Sequence, residues 1–162
     1  MPYDLSVDHD LRLVTATVRG DVTEADLFAY NDDPIWSSGT VAGYGEMIDV
    51  TETTGFDYPI AASLPHFADS SARRDPPREL AGPLLIVAAD DYFFGLARMY
   101  QSLRELHPLT QRRVGAFRTR EEALAWLAAV RVAEAPAAGE CARGEPLTRV
   151  CLPEAPIEEG CA

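Results

Sequence analysis

The segment Pro83-Leu84-Leu85-Ile86-Val87-Ala88-Ala89-Asp90-Asp91 decides the fold. Its consecutive apolar residues would bury both faces of an extended chain, as in a central strand covered by helices on each side. Asp90-Asp91 then caps the next element. From Tyr92 to Leu106 the positions Tyr92, Leu96, Met99, Tyr100, Leu103 and Leu106 make one stripe at helical spacing, stopped at His107-Pro108. An interior strand running into an amphipathic helix is half of a βαβ unit, so an α/β architecture is expected.

Working outward toward the C-terminus, Arg113 to Phe117 supplies a last short strand. Thr119 and Glu122 then form a capping box before Ala123, Leu124, Trp126 and Leu127. Toward the N-terminus, Pro59 opens a helix in which Ile60, Leu64, Phe67 and Ala68 recur at helical spacing until Arg73-Arg74-Asp75-Pro76-Pro77. Before it, Tyr44 to Val50 reads as a strand running into a tight turn, Thr51-Glu52-Thr53-Thr54-Gly55. Further upstream, Thr23 and Asp26 cap a short helix carrying Leu27, Phe28 and Tyr30 that ends before Pro34, and Gly20-Asp21 is expected to break the strand before it. Tyr3 to Asp8 and Leu11 to Val18 are extended runs around His9-Asp10, an antiparallel hairpin. The expected order is β, β, α, β, α, β, α, β, α: a mixed sheet of about five strands with about four helices and right-handed crossovers.

Composition excludes more chemistry than any motif suggests. With 162 residues and 47% hydrophobic content, one domain is expected, over residues 1–130. Residues 131–162 shift to Ala, Pro, Gly and Glu without periodicity and are expected to be a disordered tail. The net charge of -12 repels phosphate backbones, so no nucleic-acid partner is expected. All 14 basic residues are Arg, which removes every lysine-dependent phosphate-loop, Schiff-base and receiver chemistry. Cys141, Cys151 and Cys161 lie in the tail, and neither a disulfide framework nor zinc spacing is present. No apolar run approaches the ~20 residues of a membrane span, and Met1-Pro2-Tyr3-Asp4 does not resemble a signal peptide. A cytoplasmic protein without cofactor, metal or integral membrane association is expected.

The hairpin, the strand ending Asp49-Val50-Thr51-Glu52-Thr53-Thr54-Gly55, the segment Phe94-Gly95-Leu96-Ala97-Arg98-Met99-Tyr100 and the closing Phe117-Arg118-Thr119 through Trp126-Leu127 resemble the STAS-like domains of bacterial anti-sigma-factor antagonists, over about residues 3 to 130. In that family a strand runs into an Asp-Ser-Ser-Gly turn. Its serine, at a helix N-terminus, is phosphorylated by a partner kinase that also binds the domain. Glu52-Thr53-Thr54-Gly55 resembles that turn, and the resemblance makes Thr53 and Thr54 candidate phospho-acceptors. The departures are Thr for Ser at both positions and the intervening Phe56-Asp57-Tyr58-Pro59 before the helix. Helix-terminal N–H groups would favour a phosphate, whereas Glu52 and Asp57 oppose one, and turn or capping threonines are the plainer reading.

Other candidates are the adjacent aromatics Tyr92, Phe93 and Phe94, which cannot all face one core. With Asp90 they form a candidate ligand or partner surface. Asp90-Asp91 as metal-binding carboxylates competes with helix capping. The resemblance and the missing catalytic groups favour a non-enzymatic regulatory or protein-interaction domain with an unknown protein partner. The alternative is a binding module for a lipid or other apolar small molecule, marked by an apolar pocket at Tyr92, Phe93 and Phe94. An enzyme would need His66 to converge with Asp49 or Asp90. A homodimer through a sheet edge or through the aromatic surface is compatible with this sequence.

Overall fold

The computed structural model describes residues 2–134. Its elements are β1 (Tyr3–Asp8), β2 (Leu13–Val22), α1 (Glu24–Asn31), β3 (Gly45–Phe56), α2 (Ile60–Arg73), β4 (Leu84–Val87), α3 (Asp91–Leu106), β5 (Val114–Phe117) and α4 (Arg120–Glu134). The sheet has five strands in the order β1-β2-β3-β4-β5. β1 is antiparallel to β2, and every later pair is parallel. The mixed sheet opened by a hairpin is thus the architecture expected from the sequence.

Alternation within β4 explains its apolar run. Leu84 and Ile86 pack with Ile60, Leu64 and Phe67 of α2 and Tyr100 of α3, while Leu85 and Val87 pack with Ala123 and Leu127 of α4. All four β4 residues are buried because helices cover both faces. α1 is fixed by the expected capping box: Thr23 Oγ1 accepts from Asp26 N at 3.1 Å, and Asp26 Oδ2 accepts from Thr23 N at 3.0 Å. Asp90 caps α3 by accepting from Tyr92 N at 2.8 Å.

Three boundaries differ from the sequence reading. Gly20-Asp21 does not end β2: Gly20 takes φ +67° inside it, and the register against β3 shifts on either side. A glycine at positive φ lets the strand bulge and continue. The tight turn expected at Thr51 to Gly55 is instead the second half of β3, held by the pairs Arg19 with Glu52, Gly20 with Thr53 and Asp21 with Gly55. α4 continues past the expected domain end at Val130 through Glu134. The rest of the expected disordered tail, with Cys141, Cys151 and Cys161, lies outside the described residues. Among the described residues, no helix is long and apolar enough to cross a membrane.

Candidate functional site

At the carboxyl end of the parallel strands, Phe56 closes β3, Tyr58 precedes α2, and Tyr92 and Phe93 lie in the first turn of α3. Their rings form a ladder: Tyr58 to Phe56 at 5.8 Å, Phe56 to Phe93 at 5.7 Å, Phe93 to Tyr92 at 5.5 Å, all edge-on. The inner rings pack on the core below, while Tyr92 is 59% exposed. That exposure corrects half of the expected stripe: Tyr92, Met99 and Leu106 are exposed, whereas Tyr100 is buried and Leu96 and Leu103 pack against the core, and Ala97 and Arg104, outside the stripe, are buried too. The Tyr58 hydroxyl is buried without a hydrogen-bond partner among the described residues, and burial, with Glu24 and Asp57 nearby, pushes its pKa up to about 12.

The sequence candidates divide over this face. Tyr92, Phe93 and Asp90 stand together, with Asp90 engaged as the α3 cap. Phe94 turns aside: the Arg118 guanidinium lies 4.0 Å from its ring centre, and Arg118 pairs with Asp91 at 2.7 Å. Thr53 is buried within the ladder of strands, where its Oγ1 donates to Val18 O at 3.3 Å. Thr54 is exposed, and its Oγ1 donates to Asp21 Oδ1 at 2.7 Å. Neither threonine sits at a helix N-terminus, since α2 starts at Ile60, so the dipole support expected for an added phosphate is absent at these positions. Glu52, expected to oppose phosphate, points to Arg19 at 2.7 Å, and Asp21 takes its place beside Thr54.

A second site was not anticipated. At the amino end of the strands a cavity of about 270 Å3 is lined by Tyr30, Trp36, Tyr44, Glu46, Arg104 and Arg112, among others. Arg104 is 1% exposed and donates to Asp75 Oδ2 at 2.5 Å and to the Tyr100 hydroxyl at 2.8 Å. Arg112 pairs with Glu46 and lies 3.5 Å from Asp75, and Glu46 also accepts from the Tyr30 hydroxyl. Burial, reinforced by Glu46, holds the Tyr30 pKa well above its ordinary value. Two guanidinium and two carboxylate groups make the cluster charge-balanced, the condition under which buried charges persist. The legible signal was Arg104, four residues after Tyr100 and therefore on the same side of α3. Hydropathy alone assigned that position to solvent.

The groups an enzyme would bring together have separate local partners. His66 is exposed on α2 and packs at 5.0 Å against Phe28. Asp49 accepts from Thr51 N at 3.0 Å. His9 contacts the Tyr44 hydroxyl at 3.0 Å, and His107 contacts Asp69 at 3.0 Å. No group of three or more metal-ligating side chains occurs among the described residues. Neither this cavity nor the groove along β5 is lined by Tyr92, Phe93 or Phe94.

No family model matches the chain, and no curated protein matches it. The solved structures to which the chain is similar include the following two. One is a protein of the DUF3478 family with a SpoIIAA-like fold from Shewanella loihica PV-4, at 17% identity and TM-score 0.49, covering 77% of this chain and 91% of that one. The other is the anti-sigma factor antagonist SpoIIAA in its unphosphorylated form, at 10% identity and TM-score 0.46, covering 82% of this chain and 98% of that one. Both carry the type of fold that the sequence resemblance names.

Proposed function

We propose that this chain is a non-enzymatic regulatory domain that binds a protein partner through the carboxyl end of its sheet. The observation that carries this reading is the ring ladder from Tyr58 to Tyr92, because its outermost ring is largely exposed while its inner rings are anchored in the core. An exposed tyrosine on a rigid apolar base is the form that binding anchors take at protein interfaces. Glu24 and Asp57 lie near Tyr58, and Asp90 caps the helix that carries Tyr92, so the partner presents basic groups at the rim.

Thr54 is the phospho-acceptor this reading retains, as the exposed hydroxyl of the pair. A phosphate there would stand against Asp21, and the repulsion would loosen the β2–β3 end beneath the face. The acceptor role assigned to Thr53 has less physical support, since its hydroxyl is held in the sheet. The alternative of an apolar-ligand module draws on the cavity of about 270 Å3, whose walls mix Val14, Val41, Ile48 and Phe67 with the mutually paired charges of Glu46, Asp75, Arg104 and Arg112.

The test is capture from the source organism's lysate by wild-type and Tyr92→Ala chains, followed by titration of the captured protein. A partner bound at least about 10-fold more weakly by Tyr92→Ala, at unchanged thermal stability, supports the reading. Equal affinity for both chains refutes the proposed face. Mass measurement of the chain purified from its own host, with a phosphate mapped to Thr54 or absent, decides the switch separately.

A further inference from the structure

The sheet has two edges, β1 and β5, and they are not alike. Leu84 N donates to Arg113 O at 2.8 Å and Ala88 N donates to Phe117 O at 2.9 Å, so residues 113 and 117 face β4. The alternation of a strand then points the N–H and C=O groups of Val114 and Ala116 away from the sheet. Val114-Gly115-Ala116-Phe117 carries no charge that would discourage another strand. β1, in contrast, carries Asp4 and Asp8, both exposed, and its edge repels a second copy of itself.

Beside β5, α3 presents Arg98, Gln101 and Glu105 to the groove that runs along the strand. Spacings of three and four residues set them in one row on the helix. Arg98 Nη1 donates to Gln101 Oε1 at 2.8 Å, and Gln101 Nε2 donates to Glu105 Oε1 at 2.7 Å. Each charge of the row thus meets the neutral amide of Gln101 rather than an opposite charge.

We propose that two copies of this chain join through β5 about a two-fold axis, making one continuous sheet across the pair. Strands related by such an axis run antiparallel. With Gly115 on the axis, the outward groups of Val114 in one copy face those of Ala116 in the other, and each of these two pairings exchanges both N–H···O=C bonds. The central pair is then of the kind whose Cα atoms approach to about 4.5 Å, a spacing that two glycines meet with no side chain between them. The same axis turns the α3 row onto itself. Gln101 is its middle residue, so reversal lays Arg98 of each copy against Glu105 of the other. An order of Arg, amide, acid is what a two-fold contact requires, since two like ends would repel. Gln101 and Gly115 line the same groove, so one axis serves strand and helix. Only the acidic β1 edges remain at the ends, and assembly closes at two copies. This contact is separate from the Tyr92 face, and either stands without the other.

The experiment is the mass of the full chain in solution, by light scattering over a dilution series. The wild type is expected to be dimeric at about 100 μM and to dissociate on dilution. Ala116→Pro removes an outward donor and leaves the bonds to β4 in place, so it is expected to be a folded monomer. Arg98→Glu sets acid against acid at both ends of the row and weakens the dimer at least about 10-fold, and adding Glu105→Arg restores it. The charge exchange decides alone if Ala116→Pro fails to fold. A wild type that is monomeric at about 100 μM overturns the inference. So does a dimer that survives in folded Ala116→Pro, that the double exchange fails to restore, or that grows beyond two copies.

Discussion

Asp69 accepts from Arg73 Nε at 2.9 Å and lies 3.0 Å from His107 Nε2, and these bonds hold its carboxyl at about 2, below the ordinary 3.8. The depressed carboxylate stabilises the fold fully above about pH 4, and that contribution disappears as pH falls through about 2. Asp69→Asn is therefore expected to unfold at lower denaturant than the parent at neutral pH, with the difference shrinking below about pH 4 and gone below about pH 2. Denaturant midpoints across that range check the sign. At Gly82 a side chain has no room: a Cβ there would lie 1.9 Å from Tyr44 O, a backbone atom that cannot swing aside. Gly82→Ala is expected to destabilise the fold by at least about 2 kcal/mol in urea unfolding. The Asp69–Arg73 pair stands at i,i+4 spacing on one helix and is legible in sequence, whereas His107 is 38 positions from Asp69 and Gly82 meets a residue of another loop, so those contacts are not.

At the scale of elements, α3 shows what periodicity captures and what it misses. The helix and its Asp90 cap were legible, because both depend on residues within one or two turns. Its buried face was placed only in part: Leu96, Tyr100 and Leu103 pack on the core as expected, but Leu106 at 84% exposed counts as apolar while Arg104 at 1% counts as polar. Leu106→Asp is expected to change stability by no more than about 0.5 kcal/mol, whereas Ala97→Leu, pressed against the sheet, costs about 1 to 3 kcal/mol. Thermal unfolding of the two variants distinguishes the observed face from the stripe of large apolar residues. β3 carries the complementary lesson. Thr51 to Gly55 has turn-like composition, yet pairing with a bulged β2 keeps it extended.

For the molecule as a whole, the buried network of Tyr30, Glu46, Asp75, Tyr100, Arg104 and Arg112 joins α1, β3, the segment after α2, α3 and the approach to β5. Removing one charge leaves another buried without its partner, so Asp75→Ala is expected to cost about 3 to 5 kcal/mol. Adding Arg104→Met to that variant is expected to recover part of the loss, a coupling that a double-mutant cycle measures.

The sequence by itself determined the order of elements, the caps of α1 and α3, the interior place of β4 and the mixed sheet with its opening hairpin. These follow from short-range periodicity and from the number of faces a strand must bury. Only the tertiary structure decided that Thr53 is a ladder residue, that Tyr92 projects while Phe93 is anchored, and that Glu46 meets Arg112 across 66 positions. The physical reason is the same in each case. An extended or helical segment has nearly the same local energy whichever way it faces, so pairing register and buried ion contacts, made between distant parts of the chain, set the orientation.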